Sequence, residues 1–440
     1  MPHFPGFTDR PSPVEPRAQN IFLSGSAKGW PIPYIYGAVK VSGQLIAAHL
    51  STTYLYLVYL LSEGELSSIS NIKLNDIAIA SFSGYVSHGS YVGAASQTID
   101  STLSAAIPSW SSTHNAGLVS VTGRSTGRAY AWVKINTAQA SVPGVPTLTA
   151  TATRGNINDW SSTSRASTNP VVALWDYLNK HTGLASGDVD STSWDAVRTW
   201  CDTNPGDGTA LWSLNIALAG TSDRECVNEI LKHFFGALAW YDGKLYLSAR
   251  RTLSSATLTI GPSQIIRPLT WSRIPLHQRP NYVDVIYTDS TSWQQQKKNS
   301  AASGINRNST TCRAVEVNLP GCTVASMAKR YAEQYRKLLT NETLLVDFSI
   351  TSVGVQLNPG DRVDVTTPTG LSSQQIRVDT ITALESGEYL IRGTSYDSTA
   401  QSTTTDTAAS VPSTVVPGTN VLPAAPTSVS CTYYSLTLTD

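Results

Sequence analysis

The chain opens its patterned part with Pro31-Ile-Pro-Tyr-Ile-Tyr-Gly37, then runs Tyr54-Leu-Tyr-Leu-Val-Tyr-Leu-Leu61 straight into Ser62-Glu63-Gly64-Glu65-Leu66. The apolar run 54–61 is far short of the ~20 residues a membrane helix needs. Tyrosine and valine favour extended backbone, so the run predicts a strand buried on both faces. By itself such a strand is ordinary core. Around it the pattern predicts further strands at Tyr34–Val41, Gln44–Leu50, Asn71–Ala80 and Arg128–Ile135, giving a β domain over 30–153. The Ser/Gly/Thr-rich stretch 81–126 predicts long loops of a functional or interfacial kind.

At 440 residues the chain is too long for one core, and roughly two to four domains are expected. Lys+Arg and Asp+Glu both number 31, so no basic stripe exists of the kind that grips nucleic acid; passive contact with passing DNA stays open. Only 14% of residues are charged, while Ser, Thr, Tyr and Trp are plentiful, a composition suited to β-rich surfaces covered by other subunits or carried on a particle. The N-terminus shows no basic region followed by an apolar core, so no secretory signal is expected. Five cysteines, Cys201, Cys226, Cys312, Cys322 and Cys431, are sparse and odd in number, which favours reduced thiols, including the Cys312 and Cys322 pair.

Residues 1–29 read as an extended arm. An α/β domain is expected over 154–265. Asn169 is placed to cap a helix with Pro170 at its first position, Val171, Leu174, Trp175 and Leu178 on one face, and Gly183 at its end. Ser191 or Thr192 predicts the cap of a short helix carrying Trp194, Val197 and Cys201. Ser222 and Glu225 match a capping box, opening a helix that Gly236 closes. Asp242-Gly243, between Leu238-Ala-Trp-Tyr241 and Lys244-Leu-Tyr-Leu247, predicts a type I′ hairpin with Leu238 opposite Leu247 and Trp240 opposite Leu245. Its apolar face is expected to lie on the preceding helix.

A β-barrel domain is expected over 266–397, interrupted by a helix over Thr323–Leu339 that packs along one side only. Its strands are read at Leu344–Ile350, Arg362–Thr366, Gln375–Thr380 and Tyr389–Gly393. Asn358-Pro359-Gly360-Asp361 predicts a type II turn, proline fixing the first central φ and glycine supplying the positive second one. Residues 398–422 read as a Ser/Thr/Pro linker, and 423–440 as the first strands of another β module.

No phosphate loop, dinucleotide fingerprint, GxSxG, HExxH or CxxC occurs, so neither a catalytic residue, a metal ligand nor a cofactor is assigned. Glu63 and Glu65 lie two apart on one strand edge, whereas the carboxylates of a glycosidase face each other across the scissile bond. Asp188, Asp190 and Asp195 lack the glycine and terminal glutamate of a calcium loop and read as a helix-entry cluster. The seven histidines are dispersed, and His233 reads as a packed core-edge residue. Trp271, Trp293 and Tyr287 keep open a second class of function, a glycan-binding or glycan-degrading adhesin.

The order of these segments resembles the phage tail tip attachment proteins, the lambda-like central hub family with a baseplate-hub fold. The resemblance rests on Pro31–Gly37, Gly43, Ser62-Glu-Gly-Glu65, Ile69-x-x-Ile72-x-Leu74-Asn75-Asp76, Asn169-Pro170 with Thr182-Gly183-Leu184, Asp242-Gly243-Lys244-Leu245, Arg279-Pro280-Asn281, and Pro359-Gly360-Asp361 before Val363 and Val365. It spans about 30–395 and implies an α+β, mainly β, multidomain hub with β-barrel tube-type domains and a smaller helix-containing domain. It also implies a homotrimer closing the tail tube of the virion at the tail tip, assembled in the host cytoplasm. The implied partners are the distal tail protein ring, the tape measure protein, other tail tip proteins and, through a C-terminal extension, the host receptor. DNA is met only in passage, on ejection. The residues carried over are structural turns: Gly37, Gly64, Asp242, Gly243, Pro359, Gly360 and Asp361. The segment 423–440 would begin a fibronectin III-like module. On this reading part of the burial of strand 54–61 comes from neighbouring subunits.

Overall fold

The computed structural model describes residues 31–400 apart from 83, 96, 98–99, 108–126, 139–144, 220–221, 268 and 368–370. The expected arm (1–29), nearly all of the linker (398–422) and the fibronectin-like start (423–440) lie outside the described residues. The fold is mainly β with a few helices.

The N-terminal part contains β1 (Tyr34–Tyr36), β2 (Ala38–Ser42), β3 (Gln44–Leu50), β4 (Tyr54–Glu63), β5 (Ser68–Leu74), β6 (Ile77–Ala78), β7 (Val86–Tyr91), α1 (Ser101–Ala106), β8 (Arg128–Asn136) and β9 (Leu148–Thr153). One sheet has β1, β4, β8 and β7 side by side, with β3 also on β4; the other has the order β2-β9-β5-β6. The expected strand Tyr34–Val41 is thus broken at Gly37, whose φ of 68° turns the chain from one sheet into the other. A Cβ there would lie 2.2 Å from the Asn215 Oδ1 that accepts the Ala38 N–H.

Strand β4 is buried on both faces, as its composition predicts. Leu57, Tyr59 and Leu61 meet Val39, Val41, Ala150 and Ala152 between the sheets, while Tyr56, Val58 and Leu60 meet Leu103 and Ile107 on the outside. The cover comes from this chain itself, not from a neighbouring subunit: Tyr56 to Leu61 are at most 6% exposed in the single chain. Part of the expected loop region is β7 and α1, held down by Asp100. This carboxylate caps α1 by accepting the Leu103 N–H at 2.7 Å and also accepts Tyr91 Oη and Trp132 Nε1, each at 2.8 Å.

The middle part holds β10 (Asn156–Asn158), β11 (Ser164–Ala166), α2 (Pro170–Thr182), α3 (Ser191–Asp202), β12 (Ile216–Leu218), α4 (Asp223–Lys232), β13 (Gly236–Tyr241) and β14 (Lys244–Ala249). β12 pairs antiparallel with β1 and so ties this part to the first sheet. α2 is as expected, with Asn169 accepting from Val171 and Val172 N–H, Pro170 in the first turn and Gly183 left-handed at φ 75°. α3 is capped by Asp190, not by Ser191 or Thr192. The carboxylate accepts the Ser193 N–H at 2.8 Å and sits at the positive end of the helix dipole.

Ser222 accepts the Glu225 N–H at 3.3 Å and starts α4 as expected. The helix ends before Gly236, and Phe235 takes the left-handed conformation at φ 54°. Gly236 is small for a different reason: a Cβ would lie 2.4 Å from the Phe234 ring. In the β13–β14 hairpin Asp242 and Gly243 have φ of 49° and 70°, and the pairs Leu238–Leu247 and Trp240–Leu245 are those the turn type predicts. The hairpin's apolar face shares a core with the preceding helix, as expected, and also leans on α3, where Trp194 Nε1 donates to the Leu245 carbonyl at 2.9 Å and the Leu247 N–H to Ser193 Oγ at 3.3 Å.

The last part contains β15 (Leu258–Ile260), β16 (Thr270–Arg273), β17 (Tyr282–Thr288), β18 (Gln295–Ala301), β19 (Ala314–Leu319), α5 (Ala325–Asn341), β20 (Leu344–Ile350), β21 (Arg362–Val365), β22 (Gln374–Ala383) and β23 (Tyr389–Ser395). Six strands in the order β15-β21-β22-β23-β20-β16 curl around Ile260, Phe348, Val363, Ile376 and Ile391. The sheet begins and ends with sequence neighbours, and Ile265 between them bridges to Ile350. The sheet β18-β17-β19 and α5 instead share an aromatic core with α2, α3 and α4, including Trp160, Trp175, Trp194, Trp212 and Tyr331. α5 is wrapped all round, contrary to the one-sided packing expected: no residue from 325 to 340 is exposed. Its polar face is buried because Arg330 pairs with Asp207 and Gln334 donates to the Arg250 carbonyl at 2.7 Å.

Candidate functional site

Where β1, the end of β9 and α2 meet, four polar side chains surround one carboxylate. Tyr34 and Tyr36 alternate with Ile35 along β1, so both rings point away from the sheet core toward α2. Asp176 stands on a helix face that is otherwise apolar from Val171 to Leu178 and is fully packed. Arg154 follows β9 directly. Lys180 lies one helical turn beyond Asp176.

Asp176 Oδ2 accepts from Tyr36 Oη at 2.9 Å, Tyr34 Oη at 3.2 Å and Arg154 Nη2 at 3.2 Å, while Oδ1 meets Lys180 Nζ at 2.9 Å. Tyr34 Oη in turn accepts from Arg154 Nη2 at 2.7 Å and Lys180 Nζ at 2.9 Å. The guanidinium lies over the Tyr34 ring, 4.4 Å from its centroid. Burial pushes the Tyr34 and Tyr36 hydroxyls well above the usual tyrosine range, so both keep their protons. Burial also lowers the Lys180 ammonium, against the pull of Asp176.

Arg154, Asp176 and Lys180 of the cluster form one wall of a cavity of about 730 Å³. Its other walls are the turn 64–67, the segment leading through the β10–β11 hairpin, and Ser186. Arg154 Nε and Nη1 and Trp160 Nε1 are buried in this lining without an acceptor among the described residues. Asp159, also in the lining, is saturated. It accepts Ser161 N–H at 2.9 Å, Ser161 Oγ at 2.7 Å, Thr163 N–H at 2.9 Å and Arg165 Nε at 3.1 Å.

Of the turn residues singled out from sequence, only Gly64 reaches this site. Its φ is 85°, and a Cβ would lie 3.1 Å from Arg154 Nη1. Gly37 is the crossing between sheets, and Asp242-Gly243 is an outlying hairpin tip with nothing within 4 Å of a Cβ at Gly243. At Pro359-Gly360-Asp361, Gly360 has φ 99° and the Asp361 N–H donates to the Asn358 carbonyl at 3.1 Å. A Cβ at Gly360 would meet Ser248 on β14 at 2.5 Å.

The other weighed residues scatter. Glu65 lines the cavity and Glu63 ends β4. Asp190 caps α3, Asp188 accepts the Ala185 N–H at 2.9 Å, and Asp195 pairs with Arg198 at 3.0 Å, so the three form a helix-entry cluster. Tyr287 is buried while Trp271 is exposed on β16, so these aromatics make no common platform. Cys312 and Cys322 are free thiols. Arg154, Asp176 and Tyr34 were not singled out by their sequence; the available signal was one acid inside the apolar face of α2, four residues before a lysine.

The molecule is therefore a β-rich protein of several cores, with a cavity lined by a buried arginine–aspartate–lysine cluster. Residues 222–381 match the model of a family described as putative phage tail protein. The fold is similar to a chain of the virion of a native gene transfer agent particle, at 13% identity and a TM-score of 0.64, over 86% of this chain and 88% of that one. A 43 kDa prophage tail protein from Shewanella oneidensis aligns at 11% identity and a TM-score of 0.34, over 83% of this chain and 96% of that one. A tail protein from Neisseria meningitidis aligns at 11% identity and a TM-score of 0.35, over 83% and 94%. No curated protein matches by sequence.

Proposed function

We propose that the protein is the structural hub at the distal end of a phage tail. Three copies close the tail tube, contact the distal tail protein ring and the tip of the tape measure protein, and lead into a receptor-binding central fibre. The trimer opens when DNA is ejected. The observation that carries this reading is the phage-tail segment 222–381, set within a fold also found in a virion chain. The order of turns and strands from Pro31 to Asp361 supports it, as does a formal charge of zero, which lets DNA slide past without adhering. The reading assigns no catalysis to the chain.

Light scattering on the purified protein is expected to give the mass of a trimer, or a trimer only when the distal ring is added. Cryo-EM of virions is expected to place it at the tail tip, with few or acidic charges facing the lumen. A stable monomer that is missing from purified virions would sink the proposal.

A further inference from the structure

We propose that the cavity between turn 64–67, the β10–β11 hairpin and α2 binds a sugar acid, its carboxylate taken by Arg154 and Lys180. The volume of about 730 Å³ lies within the ~300–1,000 Å³ usual for small-molecule sites. Arg154 is 5% exposed, yet among the described residues only its Nη2 finds acceptors, leaving Nη1 and Nε unmet in the cavity lining. A buried donor left unsatisfied is costly, and an arriving carboxylate answers it with the planar fork that guanidinium prefers. Gly64 lies over Nη1, where a Cβ would come within 3.1 Å of it, so only glycine leaves room for a group there.

The other acids in the lining decide what kind of anion fits. Asp159 and Asp176 are saturated by their own donors, as described above. Glu65 is exposed at the rim, where it accepts hydroxyl donors and repels a second negative charge. Asn156, Asn158, Ser162 and Ser186 add amide and hydroxyl groups around it. One carboxylate accompanied by several hydroxyls meets this arrangement; a phosphate or a run of acidic side chains meets Glu65 unfavourably.

This inference does not rest on the hub reading, because the test uses the purified full-length chain. Calorimetric titration is made with a disaccharide containing glucuronic acid, with the matching glucose disaccharide, and with a glutamate-rich peptide. Saturable binding of the uronate is expected, at least about tenfold tighter than the neutral sugar, with a further loss of about tenfold or more in Lys180→Met. Equal binding of both sugars, or none at millimolar concentration, overturns the proposal. Tighter binding of the peptide overturns it too, and assigns the cavity to a protein partner. If Lys180→Met fails to fold, the comparison of uronate with neutral sugar on the unaltered chain still decides.

Discussion

Two buried arginines join parts of this molecule, and they are used differently. Arg330 on α5 reaches the segment 207–211, where Nη1 pairs with Asp207 and Nη2 donates to Thr209 Oγ1 at 3.3 Å, the Ala210 carbonyl at 3.1 Å and the Leu211 carbonyl at 3.4 Å. Arg154 reaches α2, yet one whole amino group of its fork meets no acceptor among the described residues. Nε is left over at both residues, so the unused Nη1 is the difference. Arg330 is surrounded by chain, while Arg154 borders a cavity. One junction is closed by its own backbone, and the other keeps capacity for something that arrives later.

The closed junction should be the more sensitive to truncation. Arg330→Ala removes the donor of the Ala210 and Leu211 carbonyls and the cation beside Asp207, whose carboxylate stays open to solvent, so the change costs about 1–3 kcal/mol. Denaturant unfolding should show that loss with an unchanged slope. A loss below about 1 kcal/mol would mean that water already satisfies the segment 207–211, and the contrast with Arg154 would fall.

His233 sharpens the same side of the comparison through pH. It is buried, with Nδ1 at 2.7 Å from the Glu229 carbonyl and Nε2 accepting the Gly321 N–H at 3.0 Å, which fixes a neutral ring. Burial lowers its pKa from 6.5 to about 4; Glu229 opposes that shift and Lys232 adds to it. Between these values the unfolded chain holds the extra proton, so stability falls as pH drops from about 6.5 toward 4 and is fully present above 6.5. The loss at pH 4 relative to pH 7 is at most about 3 kcal/mol. His233→Gln should flatten the melting temperature across that window, and an unflattened profile would assign the dependence elsewhere. Asp159, Asp207, Asp289 and Asp397 are all held below the usual carboxylate value, so they titrate beneath it.

The contrast also shows what the sequence could disclose. Periodicity and turn chemistry are local, so β4, the cap at Asn169 and the register of the Asp242-Gly243 hairpin are read from a few neighbouring residues. The cavity is not local: Tyr34, Arg154 and Asp176 are brought together from three elements far apart in the chain. A pattern rule treats each of them as a strand tyrosine, a strand-end arginine or a helix acid. The same limit explains the helix 325–341, whose Arg330 and Gln334 look solvent-facing until the segment 207–211 and Arg250 are placed over them. It also explains the cover of β4, since α1 begins well beyond that strand and docks through Asp100.

The smallest expected effect separates backbone strain from contact with the unused nitrogen. Gly64 and Gly243 both hold left-handed backbone, at φ 85° and 70°. An alanine at either position carries the same conformational penalty of about 1 kcal/mol. At Gly243 the methyl group meets open space, whereas at Gly64 it lies 3.1 Å from Arg154 Nη1 and 3.3 Å from the Tyr34 ring. Gly243→Ala should therefore lower stability slightly and leave uronate binding as it was. Gly64→Ala should lower stability somewhat more, since its methyl also presses on Arg154 and Tyr34, and should weaken the uronate by severalfold because the methyl takes the space over Nη1. If titration shows both variants binding alike, Nη1 takes no part in the cavity, and Arg154 is as purely structural as Arg330.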